Sequence, residues 1–245
     1  MIIPEYDREY FAERLEPHSF EPSDKIPLPY RLFVPEGAGG QSPHALVFVL
    51  HGAGDRGNDN FLPLRPYAAG WSSPEVQAEY PCIILIPQCP EILQWVDAPF
   101  QDGSYPQADT PISDPLDAAL ALLDETVAQQ PADPNRIYIM GASMGGYGTW
   151  DTITRFPDRF AAAAPICGGG DPGRAANIVD LPVWTFHGDQ DDAVPVDCTR
   201  EMVAAIQAAG GTEIRYTEYP DVKHESFQMA WREPELLEWM FGQRR

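Results

Sequence analysis

The sequence predicts an α/β protein with a mostly parallel central sheet and helices on both faces, and three observations carry that expectation. Ala45-Leu46-Val47-Phe48-Val49-Leu50 and Cys82-Ile83-Ile84-Leu85-Ile86-Pro87 are unbroken apolar runs, too short for helices, as strands buried on both faces must be. Ser113 to Gln129 carries apolar residues at Leu116, Ala119, Leu120, Leu123 and Val127, spacings of three and four, with Ser113 and Asp114 at its start; that is an amphipathic helix covering a sheet face. Tyr138-Ile139-Met140-Gly141-Ala142-Ser143-Met144-Gly145-Gly146-Tyr147 reads as a strand, a sharp turn with a serine at its apex, and a helix start. At 245 residues the chain suits one domain spanning 1–245, with 1–27 as an N-terminal edge strand or hairpin extension.

In chain order, Met1 to Pro27 is polar and proline-punctuated, and no function is expected there. Leu28 to Pro35 alternates as a half-exposed strand does, with a turn at Pro35, Gly37, Gly39 and Gly40. The run Ala45 to Leu50 ends directly in His51-Gly52-Ala53-Gly54-Asp55-Arg56-Gly57. Glycines in such a loop let backbone N–H groups turn inward toward negative charge developing on a substrate oxygen, although an ordinary tight turn has the same composition. His51 and Gly52 count as pocket candidates. A helix is expected at Ser73 to Glu79, capped by Ser73 with Pro74 in its first turn. Gln88 to Pro111 follows no regular pattern; its Trp95, Phe100 and Tyr105 suggest an ordered wall beside the site, with Trp95 a substrate-pocket candidate or a plain loop anchor.

Asp133-Pro134-Asn135-Arg136 is expected to turn the chain into strand Ile137 to Met140, and Gly146 to Phe156 to form the helix behind Ser143. Strands follow at Phe160 to Ile166 and Val183 to His187. The 16 residues from Cys167 to Pro182 are too few for a cap domain, which predicts an open site. Gly188-Asp189-Gln190-Asp191-Asp192-Ala193-Val194-Pro195 is an acid-rich loop at a strand end. Cys198 to Ala209 is a helix stopped by Gly210-Gly211, Glu213 to Tyr219 a last strand, His224 sits on the loop after it, and Glu235 to Phe241 closes as a short helix.

Composition narrows the partners. A hydrophobic fraction of 44% marks a globular chain, so its 26 prolines belong to ordered loops. With 37 acidic against 16 basic side chains, a formal charge of -21, the field repels nucleic-acid phosphates and anionic lipid; neither nucleic acid nor membrane is expected as a partner, and the oligomeric state is left open. Cys82, Cys89, Cys167 and Cys198 form no metal-binding spacing, and free thiols are expected. Met1 to Arg14 lacks a basic start followed by an apolar run, which suggests a cytoplasmic protein, with a signal peptide removed before this sequence begins as the alternative.

A serine on so tight a turn needs a base, an acid and an oxyanion site. Of His18, His44, His51, His187 and His224, only His224 follows both the serine turn and the acid-rich loop, in the order that successive strands of one sheet deliver a Ser–acid–His triad. In Leu50-His51-Gly52-Ala53-Gly54, Pro87-Gln88-Cys89-Pro90, Gly141-Ala142-Ser143-Met144-Gly145-Gly146, the run from His187-Gly188 through Asp191 to Val194-Pro195, and His224, the chain resembles α/β-hydrolases of the carboxylesterase/phospholipase-like group, related to dienelactone hydrolase and prolyl-oligopeptidase-type catalytic domains. The resemblance runs from about Leu28 to the C-terminus. It implies Ser143 as nucleophile, His224 as base and Asp191, three residues before Val-Pro, as acid, although the adjacent Asp192 competes for that role. It also implies backbone N–H groups of Ala53 and Met144 as the oxyanion hole, and no metal or other cofactor.

The expected activity is hydrolysis of small short-acyl or aromatic esters by a serine carboxylesterase, with a small-molecule ester as the partner. The same triad cleaves amides, so a serine peptidase of small peptides is the competing enzyme reading; an inactive hydrolase fold serving in binding is the third.

Overall fold

Among the described residues, eight strands form one sheet: β1 (Glu16–Phe20), β2 (Leu28–Phe33), β3 (His44–Leu50), β4 (Cys82–Pro87), β5 (Ala132–Ala142), β6 (Ala162–Ile166), β7 (Val183–Gly188) and β8 (Ile214–Tyr219). Their order is β1-β2-β4-β3-β5-β6-β7-β8. The computed structural model describes residues 7–35, 43–99 and 102–245; the turn expected at Gly37, Gly39 and Gly40, and Phe100, lie outside them. From β4 to β8 every pair is parallel, whereas β1 and β2 run antiparallel at one edge.

The apolar runs became the central strands because both of their faces are covered. Leu46, Phe48 and Leu50 with Ile83 and Leu85 point to one side, Val47 and Val49 with Ile84 and Ile86 to the other, and all are fully buried. On the first side lie α4 (Asp114–Gln129), α5 (Met144–Arg155) and α6 (Asp197–Ala208); on the second, α1 (Arg8–Arg14), α2 (Pro66–Ala69), α3 (Pro74–Glu79), α7 (Phe227–Ala230) and α8 (Leu236–Phe241). Helix α4 buries Leu116, Ala119, Leu120 and Leu123, and the Ser113 hydroxyl accepts the Leu116 N–H at 3.3 Å. Ser73 caps α3 in the same way, accepting from Val76 N–H.

Two expectations change. The N-terminal stretch carries edge strand β1 and, beside it, α1, capped by Asp7 and anchored by buried Phe11, with Leu15 buried just beyond its end. Asp133 to Arg136 lies inside β5 rather than before it. Pairing jumps from His44 opposite Ala132 to Leu46 opposite Ile137, so these residues bulge out of the ladder around Asp133, whose carboxylate accepts the Asn135 N–H at 3.0 Å.

Between β6 and β7 the chain forms only a short 3-10 segment, Pro172–Ile178. All four cysteines are buried free thiols. No helix among the described residues is long and apolar enough to cross a membrane.

Candidate active site

Ser143 stands between the end of β5 and the start of α5 with φ of 57° and ψ of -117°. A β-carbon strains at positive φ, and the turn is held because α5 presses against the strands on both sides of Ser143. A Cβ at Gly145 would lie 1.9 Å from Leu50 O, and one at Gly141 would lie 2.3 Å from Gly145 O. The glycines set the distance at which the helix can pass β3, and that distance pushes Ser143 out over the carboxyl edge of the sheet.

The ends of β7 and β8 bring the other two residues to the same edge. His224 Nε2 is 2.8 Å from Ser143 Oγ, and its Nδ1 is 2.8 Å from Asp191 Oδ2. The His224 side chain is a quarter exposed, that of Asp191 wholly buried. Burial alone would push the Asp191 pKa up. Hydrogen bonds from His187, His224 and the N–H groups of Val194 and Ala193 outweigh it and hold the carboxyl well below the usual carboxylate range. Of the two adjacent carboxylates only Asp191 meets His224: the Asp192 side chain is 62% exposed and pairs with Lys223 at 2.9 Å.

Beyond β3, Gly52 donates its N–H to the Tyr67 hydroxyl at 3.1 Å, and that hydroxyl donates to Asp55 Oδ2 at 3.3 Å. Arg65 and Arg8 hold the other Asp55 oxygen, so the loop is tied down from below. Ala53 opens a single 3-10 turn and lines the cleft beside Ser143. Met144 is the first residue of α5, where a backbone N–H has no carbonyl to bond within its own helix.

A cavity of about 400 Å³ opens over Ser143. Gly52 lines it, together with Tyr67, Phe227, Val194 and Arg65. Trp95 and His51 do not. Trp95 is completely buried, donates its indole N–H to His51 O at 3.0 Å and packs under α5 against Gly148. It anchors the long loop from behind the site, so the aromatic wall expected there is built instead by Tyr67 and Phe227, whose rings meet edge to face at 5.4 Å. His51 is also fully buried; Nε2 accepts the Cys89 N–H at 2.9 Å, leaving Nδ1 to donate to Gly52 O at 2.7 Å. Burial pushes its pKa down to about 4, so the ring stays neutral and braces the loop.

Tyr67 and Phe227 escaped sequence reasoning because they come from two very short helices with no periodicity to read. One signal was present for Phe227: it stands three residues after His224, one turn away, and the two rings lie 6.4 Å apart. Potential metal-ligand atoms of Cys167, Asp191 and His224 gather within 4.8 Å of one another. Asp191 and His224 are already bonded to each other, and burial pushes the Cys167 thiol up to about 12, keeping it protonated.

The model of the dienelactone hydrolase family matches residues 104–235. Among solved structures, a thermostable esterase is 37% identical, with a TM-score of 0.88 over 96% of this chain and 64% of that one. The Pyrococcus horikoshii acylaminoacyl peptidase shares the fold, at 17% identity and a TM-score of 0.68 over 94% of this chain and 41% of that one. The acylamino-acid-releasing enzyme of Arabidopsis thaliana is 39% identical over 77 residues, 29% of this chain and 10% of its own length. The chain thus spans less than two thirds of each of these three proteins.

Proposed function

The chain belongs to the dienelactone hydrolase family, and on that footing we propose that it is a serine carboxylesterase, hydrolysing small short-acyl or aromatic esters through an acyl-enzyme on Ser143. The observation that carries this reading is the unbroken line of contacts from Ser143 Oγ through His224 to Asp191, each 2.8 Å long.

In this reading His224 Nε2 takes the Ser143 proton as Oγ attacks the ester carbonyl. Asp191 holds Nδ1–H and so keeps the lone pair on the nitrogen that faces serine. The N–H groups of Ala53 and Met144 stabilise the oxyanion, each worth about 3 kcal/mol of barrier. His224 then gives its proton to the departing alcohol, and water repeats the cycle on the acyl-enzyme. A cavity of about 400 Å³ bordered by Tyr67 and Phe227 supports compact, aromatic-tolerant substrates.

The test is a panel of p-nitrophenyl and aryl esters varying in acyl length, run beside Ser143→Ala and beside labelling with a fluorophosphonate. Absence of Ser143-dependent turnover across the panel overturns the proposal, and failure to label points to an inactive binding protein. The likeness to acylamino-acid-releasing enzyme supports a second reading, a peptidase of small peptides. Amide turnover matching ester turnover would favour it.

A further inference from the structure

Asp191 faces two imidazoles, and the reaction above uses only one. His187, near the end of β7, is fully buried; its Nε2 lies 3.2 Å from Asp191 Oδ2 and 3.2 Å from Val194 O. An ionised carboxylate and a backbone carbonyl are acceptors only, so Nε2 carries a proton. A bare nitrogen would set three lone pairs against one another at side chains wholly buried from solvent. On the far side of the ring the hydroxyl of Thr199, on α6, lies 2.8 Å from Nδ1 and 3.0 Å from Gly168 O; with the proton of a neutral ring on Nε2, Nδ1 is an acceptor, and the one hydroxyl proton is shared between it and that carbonyl. The ring is therefore gripped on both edges, and its gripped proton points at the atom that His224 needs.

A carboxylate is free to rotate about its last torsion over a broad, roughly two-fold profile. Here all four approaches to Asp191 are filled. Oδ1 accepts the N–H groups of Ala193 and Val194, each at 2.9 Å, while Oδ2 sits between the two histidines. His187 also reaches the carbonyl of Val194, the residue whose N–H holds Oδ1, so one ring fixes both the side chain and the turn that carries it.

We propose that His187 is a positioning residue: its Nε2–H, shared between Asp191 Oδ2 and Val194 O, locks the carboxylate in the orientation that meets His224 Nδ1–H. The proposal rests on the triad reading above. Thr199 acts one step further out, fixing the ring that fixes the acid.

The experiment compares His187→Leu, His187→Gln and Thr199→Val with the unaltered protein by thermal unfolding, by kcat and KM on a p-nitrophenyl ester, and by the low-field proton resonance of His224 Nδ1–H. The leucine variant is expected to lose about ten- to a hundredfold in kcat with KM changed less than about twofold, because a hydrogen bond to a buried charge is gone while the cleft is untouched. Its low-field resonance should broaden or vanish. The glutamine variant should restore both, since its amide N–H reaches the place of Nε2–H; a residue that only filled space would show no such rescue. Equal losses in the leucine and glutamine variants, or a folded leucine variant with normal kcat and resonance, overturn the proposal. Should the leucine variant not fold, Thr199→Val decides: a folded protein with unchanged kcat and resonance overturns it, a reduced kcat at constant KM supports it. If the unaltered protein hydrolyses no ester, the esterase reading fails, while the resonance comparison still decides the role of His187.

Discussion

A Cβ on residue 145 would sit 1.9 Å from the carbonyl oxygen of Leu50, so α5 passes the end of β3 at a distance that only a glycine hydrogen permits. The obstacle is backbone and has no rotamer through which to yield. Gly145→Ala should therefore destabilise the fold by about 3 kcal/mol or more, read from urea unfolding, or prevent folding altogether. A soluble alanine variant with unchanged midpoint would mean that the helix can slide.

Ser143 holds a strained backbone for the sake of its reach. Ser143→Gly should be more stable than Ser143→Ala by about 1 kcal/mol, since glycine accepts positive φ. Both variants should lose ester turnover by at least about a thousandfold. Differential scanning calorimetry of the pair, with assays alongside, measures the strain separately from the chemistry.

Asp191 and Asp192 are neighbours in sequence with opposite surroundings, one buried against His224 and one in solvent with Lys223. Asp191→Asn should lower kcat by about ten-thousandfold, because an amide can present its N–H to the imidazole and favour the wrong tautomer. Asp192→Asn should change kcat by less than about twofold, as expected for an exposed ion pair of small energy. Steady-state kinetics on both variants checks the assignment, and a reversed order would move the acid to Asp192.

His51 links the loop to pH. Its pKa falls from an ordinary 6.5 to about 4 in the folded chain, chiefly through burial, and Nε2 is further committed to accepting the Cys89 N–H. The unfolded chain therefore binds the proton first. The stability contributed by a neutral His51 is complete above pH 6.5 and is lost as pH falls through about 4, a change of about 3 kcal/mol. His51→Gln, whose amide oxygen can accept the same N–H, should flatten that part of the stability profile measured by denaturant titration between pH 7 and pH 4.

Trp95 and Phe227 separate anchoring from recognition. Trp95→Phe removes the indole bond to His51 O and should lower stability by about 1–3 kcal/mol while leaving relative rates across an ester panel unchanged. Phe227→Ala, at the cleft wall, should do the reverse and alter the ratio of aryl to short-acyl turnover. If Trp95→Phe reorders the panel, the long loop shapes the pocket after all.

The strands around the site were legible because a sheet covered on both sides demands apolar residues at every position, and Ala45 to Leu50 of β3 and all of β4 supply them. Ser143, Asp191 and His224 were legible through chain order, since each follows a recognisable strand. The cleft wall was not. Tyr67 and Phe227 sit on helices of four residues each, below the length at which any period can be read. Trp95 stayed open between pocket wall and loop anchor for a different reason: an aromatic residue in an irregular loop has the same local sequence whether it faces a substrate or the back of a helix, and only the gap left by Gly148 decides. The bulge at Asp133 to Arg136 has the proline and Asx chemistry of a turn, and only the pairing of β3 on either side places it inside a ladder.

The short passage between β6 and β7 has a kinetic meaning. Enzymes that fold a flap over the substrate can refuse wrong molecules by failing to close, and they spend part of each turnover reopening. In the reaction proposed above, the single 3-10 segment between β6 and β7 leaves discrimination to the outline of the cleft and puts no gate on product release at that point, and breadth across the ester panel is the expected result.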